Sequence, residues 1–137
     1  MSVRKEERTV GKLDVAMQAR SLAVYTLHIT ANKNQFDPAQ NDEMINRMRR
    51  LSTDIFSKIW AANNIMVKDV HSKEERLRLQ RSACIDCNTL LPLIEIACGL
   101  FHQPTKRLKF WSEKVISVRN ATRAWHDSDA KRYANYK

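Results

Sequence analysis

Three features of the sequence predict an all-α protein, an antiparallel up-down four-helix bundle. The 137 residues include two glycines and three prolines, too little punctuation for the turns of a strand-rich fold. Apolar residues recur at alternating spacings of three and four along separate stretches. That strict alternation is the seam of helices packed at shallow angles, as in coiled coils and four-helix bundles. Connections of moderate length separate the stretches. A single domain of this length buries a core without metal or disulfide staples.

The first helix is expected from Leu13 to about Lys33, where Val15, Ala19, Leu22, Thr26 and Ile29 make the stripe and Ala16, Ala23 and Leu27 widen it. Ala31 to Pro38 reads as a connection, with Asp37 placed to accept from free amides and Pro38 suited to a first turn. The second helix is expected from Pro38 to Asn63, with Met44, Met48, Leu51, Ile55, Ile59 and Ala62 on one face. Ser72-Lys73-Glu74-Glu75 reads as a capping box that opens the third helix. Behind it come Leu77, Gln80, Cys84, Cys87, Leu91, Ile94, Cys98 and Phe101. Pro92 lies within that run, deletes a backbone hydrogen bond and predicts a kink costing about 3 kcal/mol. The fourth helix, Pro104 to about Asp127, repeats the pattern with Leu108, Trp111, Val115, Val118, Thr122 and Trp125. The chain thus divides into a polar N-terminal tail (1–12), the bundle (13–128) and a basic C-terminal tail (129–137).

The net charge is +9, and the excess is uneven. Residues 104–137 hold nine basic and three acidic side chains, two thirds of the surplus. A polyanion is the natural partner of such a segment. No run of about 18 apolar residues appears and the N-terminus lacks a signal-peptide core, so a cytoplasmic protein without a membrane span is expected. Three cysteines, an odd number, fit that compartment better than a disulfide framework.

Catalytic signatures are missing from the sequence. Cys84 and Cys87 form a CxxC inside a helix, on its apolar seam, where small buried side chains explain them better than zinc or redox chemistry. His28, His71, His102 and His126 are scattered, and Asp127 and Asp129 read as surface carboxylates near a helix end. No cofactor, metal, small-molecule substrate or enzymatic activity is expected.

Basic side chains carry the functional expectation. The candidate nucleic-acid-binding residues are Arg47 and Arg50 on helix two, Arg78 and Arg81 on helix three, and Lys106, Arg107, Lys109, Lys114, Arg119 and Arg123 on helix four, with Lys131 and Arg132 in the tail. Arg49, Lys58, Lys73 and Arg76 belong to the same cationic decoration, part of it paired along helix faces with Asp54, Glu74, Glu75 or Glu113. Arg119 and Arg123, four apart, point together from one edge of the tryptophan seam, either toward phosphates or into pairs across a subunit interface. Trp111 and Trp125 fall on the core register, while Trp60 is free to face a partner subunit.

Several segments together resemble a known family. They are Asp54-Ile55-Phe56 through Ile59-Trp60-Ala61-Ala62-Asn63-Asn64, Arg78-Leu79-Gln80 with Leu90-Leu91, and Leu108-Lys109-Phe110-Trp111 through Val118-Arg119-Asn120 to Arg123-Ala124-Trp125-His126-Asp127-Ser128-Asp129 and Lys131-Arg132-Tyr133. The pattern, over roughly Leu13 to Tyr133, resembles the accessory variability determinant proteins of diversity-generating retroelements, related to bundle proteins encoded in ribosomal-RNA intervening sequences. The resemblance implies a five-fold ring of bundles with a basic surface. It also implies binding to a reverse transcriptase and its template RNA, and to DNA, in support of mutagenic cDNA synthesis. By that analogy the chemistry belongs to the reverse transcriptase. The alternatives are a protein-binding scaffold that docks an acidic partner, and a ribosomal-insert type of bundle protein with no retroelement role.

Overall fold

A computed structural model of the chain describes residues 2–137, with side chains described from Asp14 onward. It contains four helices, α1 (Ser2–Thr30), α2 (Pro38–Asn63), α3 (Val70–Leu100) and α4 (Thr105–Arg132), and no strand among the described residues. Consecutive helices pack on each other, and α1 closes the bundle against α4 in its least extensive contact. The expected polar tail, 1–12, falls on residues whose side chains lie outside the described ones.

The core follows from the 3-4 spacing. From α1 come Val15, Ala16, Ala19, Leu22, Ala23 and Ile29; from α2, Ile45, Met48, Ile55, Ile59 and Ala62. The third and fourth helices add Leu77, Cys87, Leu90, Ile94, Cys98, Trp111, Val115, Val118 and Trp125. Each large apolar side chain buried this way contributes about 1.5–3 kcal/mol. Phe36, in the α1–α2 connection, plugs one end of this core. Its ring lies 5.2 Å from Phe101 and 6.1 Å from Trp111, nearly perpendicular to the indole. The indole nitrogen of Trp111 donates to Thr26 Oγ1 at 3.0 Å, so the largest core side chain keeps its one polar group satisfied.

Helix starts depart from expectation in two places. Asp37 does cap α2, accepting from the Ala39 amide at 2.9 Å. However, Asn41 leaves the helical path (φ −165, ψ 86) and its Oδ1 accepts from the Met44 amide at 3.0 Å. Asn41 thus acts as a second N-cap three residues before its donor. The cap of α3 is Asp69, not Ser72. Asp69 Oδ1 accepts from the Ser72 amide at 2.7 Å, and the Ser72 hydroxyl accepts from the Asp69 amide at 3.1 Å. A carboxylate one turn earlier out-competes the serine, and Glu75 is left to pair with Arg78. The Ser72 amide, and after it the Ser72 hydroxyl, donate to the Asp69 carboxylate and hold it below its usual range.

Helix α3 runs continuously through Pro92, whose ring lies on the exposed face. It ends with His102 at φ 53, while the Gln103 amide donates to the Cys98 carbonyl at 2.8 Å and the His102 amide to Gly99 at 3.3 Å. This is a Schellman stop with histidine in the left-handed position. By length and composition α3 is also apolar enough to cross a membrane, although in the bundle it packs between α2 and α4.

The end of α4 is also longer than the 3-4 pattern suggests, reaching Arg132. The reason is Asp129, read from sequence as a surface carboxylate and in fact 2% exposed. Its Oδ2 accepts from Arg76 Nε at 2.7 Å and from Gln80 Nε2 at 2.8 Å. Arg76 is 3% exposed and is not part of the cationic surface.

Candidate nucleic-acid interface

The α3–α4 seam gathers three of the basic residues singled out above. Arg81, Cys84 and Asn88 are spaced three and four apart on α3, and Arg119, Arg123 and His126 four and three apart on α4. Residues at those spacings share a helix edge. Arg81 Nη1 lies 3.3 Å from His126 Nε2, and Arg119 Nη1 donates to Asn88 Oδ1 at 3.2 Å. Arg119 Nε and Nη2 also reach Asn120 Oδ1, each at 3.3 Å. Neutral amides therefore hold this guanidinium in place and leave its charge uncancelled. Arg123 is exposed beside it, and the half-buried Cys84 thiol donates to the Arg119 carbonyl at 3.7 Å.

Carboxylates are scarce along the seam. Among the described residues the ion pairs are Lys58–Asp86, Arg76–Asp129 and Arg78–Glu75, and His126 Nδ1 lies 3.1 Å from Asp127 Oδ1. Among the described residues, Arg78 is the one candidate of the twelve paired with a carboxylate, and its partner is within its own helix. Asp127, which contacts His126 of the seam, is largely exposed.

The remaining candidates do not join this edge. Arg47 and Arg50 are exposed on α2, which packs between α1 and α3, across the bundle from α4. Lys106 and Lys109 are exposed on α4. Arg107 reaches Gln35 and Gln103, and Lys114 donates to Ser21 Oγ at 3.0 Å, so both sit on the α1 side. Lys131 and Arg132 fall in the last turn of α4, where cations suit the helix dipole, and Arg132 lies 5.2 Å from the Tyr133 ring. Two arginines counted as surface decoration are structural. Arg49 Nη1 donates to Thr30 Oγ1 at 2.7 Å and to the Leu27 carbonyl at 3.0 Å, tying α2 to the end of α1, and Arg76 is the buried partner of Asp129.

An aromatic side chain near the cations was not singled out from sequence. Phe110 is 49% exposed and meets Tyr25 edge-on with ring centres 5.2 Å apart. Its signal was faint, because a phenylalanine beside Trp111 reads as overflow from the core register. Trp60 is 55% exposed and lies 5.9 Å from Phe56, a second apolar patch.

The thiols sit in settings that disfavour the thiolate. Burial pushes Cys87 up to about 12, and burial also raises Cys84 and Cys98, although Arg123 and Arg119 pull Cys84 the other way. Among the described residues no three His, Cys, Asp or Glu side chains converge as a metal site would require. No protein-family model, curated protein or solved structure matches the chain.

Proposed function

We propose that this chain is a non-catalytic nucleic-acid-binding accessory subunit that grips phosphate through the α3–α4 seam. The observation that carries the reading is that Arg81, Arg119 and Arg123 share one edge, with Arg119 held by neutral amides rather than by a carboxylate. A phosphate backbone supplies the missing countercharge and releases its own condensed ions on doing so.

On the family resemblance, the polynucleotide is the template RNA of a diversity-generating retroelement and the protein partner is its reverse transcriptase. The chain then supports mutagenic cDNA synthesis from the cytoplasm without acting on a small molecule or a membrane. An up-down antiparallel order is supported by the pairs Arg76–Asp129, Arg81–His126 and Asn88–Arg119, whose α3 numbers rise as their α4 numbers fall. A ring of copies, five-fold by the same analogy, is supported by apolar surface at Trp60, Ile85 and Ile96, which a head-to-tail contact would cover.

The test combines the full chain with the reverse transcriptase, with and without template RNA, and follows both complex formation and solution mass. The expected outcome is an oligomer whose RNA complex weakens steeply between about 50 and 200 mM salt. It also weakens when Arg119 and Arg123 are both changed to Glu. Binding to the polymerase alone, with no RNA affinity at any salt, would instead favour a protein-docking scaffold.

A further inference from the structure

We propose that the cleft between α1 and α4, on the Pro104 side of Phe110, is a stacking site for an unpaired nucleobase. The proposal rests on the nucleic-acid-binding reading above and adds a second, chemically different contact to it.

Phe110 is exposed, yet it is not loose. Tyr25 packs against it in an edge-to-face arrangement, and Lys114 Nζ lies 5.1 Å from its ring centre and 5.7 Å from that of Tyr25. Lys114 is itself held by Ser21. The ring is therefore presented in a fixed orientation, as a platform must be if stacking is to cost little ordering entropy.

Phe110 borders two open clefts of about 320 Å³ each. The cleft that contains Lys114 also contains Glu113, a carboxylate that repels phosphate. The other is lined by Tyr25, Pro104, Lys106, Arg107 and Phe110, an apolar floor with two cations and no acidic group. Arg107 is oriented by the neutral side chains of Gln35 and Gln103, and Lys106 has no hydrogen-bond or ion-pair partner among the described residues.

That composition selects the occupant. An apolar helix or a second copy of this surface would desolvate two cations and return no countercharge. A nucleotide matches both halves, with its base on the aromatic face and its phosphate on the cations. Base–aromatic stacking tolerates any base because each has a π face. A base inside a duplex has both faces covered by stacked neighbours, so the cleft should discriminate single strands from duplex, which the seam of arginines and amides on α3 and α4 has no means to do.

The experiment measures fluorescence anisotropy of the full chain with two labelled probes, single-stranded oligoadenylate RNA and an RNA duplex of the same length. The variants are Phe110→Ala, Phe110→Trp, and the double change Arg119→Gln with Arg123→Gln, each checked for helix content. Phe110→Ala should weaken single-strand binding about five- to a hundred-fold and leave duplex binding unchanged. Phe110→Trp should retain single-strand affinity, and the arginine double variant should weaken both probes. Unaltered single-strand affinity in Phe110→Ala, or equal losses on both probes, overturns the stacking site while leaving the cationic seam standing. Failure of the unmodified chain to bind either probe sinks both.

Discussion

Arg76 and Asp129 meet in the interior where the start of α3 crosses the end of α4, joined at 2.7 Å and roofed by the Trp125 ring 5.2 Å from the guanidinium. Arg76 Nη1 also donates to the Ile65 carbonyl at 3.0 Å, so one side chain ties the α2–α3 connection to both later helices. Removing one partner of such a pair strands the other charge in a low-dielectric setting. Asp129→Ala should therefore lower unfolding free energy by about 3–5 kcal/mol in urea titrations. A loss well below about 1 kcal/mol would place the pair in solvent. Nothing local in the sequence distinguishes Asp129 from Asp127, because burial depends on a partner 53 residues away. Cys87 offers a pH readout at the same scale. Its folded thiol holds the proton up to about 12, against an ordinary value of 9.0. The folded state therefore binds more protons than the unfolded one above pH 9, and stability must fall as pH rises from about 9 toward 12. Cys87→Ala should flatten that decline; an unchanged alkaline profile would show that the thiol titrates normally.

The helices themselves were legible because burial follows spacing. The stripes of α1, α2 and α4 bury Leu22, Met48, Trp111 and their periodic neighbours, and Asp37 and Asn63 bound α2 as its residues suggest. Helix ends were less legible. Asp69 precedes Val70 and His71, which stand off the heptad, so the first turn of α3 is set by a side-chain acceptor rather than by apolar periodicity. Pro92 is the sharper case. Its ring is exposed and α3 continues across it, so the lost hydrogen bond to Asn88 is tolerated without a break. Pro92→Ala restores that donor and should raise the melting temperature, by an amount corresponding to about 1–3 kcal/mol. A lower melting temperature would mean that the proline ring itself is needed where it sits.

At the scale of the molecule, charge and shape diverge. The sequence concentrates its positive excess in the last quarter, but folding distributes those residues around α4: toward α3 (Arg119 and Arg123), toward α1 (Arg107 and Lys114) and into solvent (Lys106 and Lys109). One twelve-residue patch is therefore not what the fold builds. The residues facing α3 share their edge with a cation of that helix, Arg81, which lies against His126. Sequence supplied the residue types and the pairing of Arg119 with Arg123; the third member depended on how α3 and α4 register. The decisive measurement is the salt dependence of affinity for structured RNA, in the unmodified chain and with Arg81, Arg119 and Arg123 all changed to Gln. Loss of three phosphate contacts should reduce the slope of log affinity against log salt by about 2–3, with the helical signal intact. An unchanged slope, with affinity also unchanged, would contradict phosphate recognition at this seam.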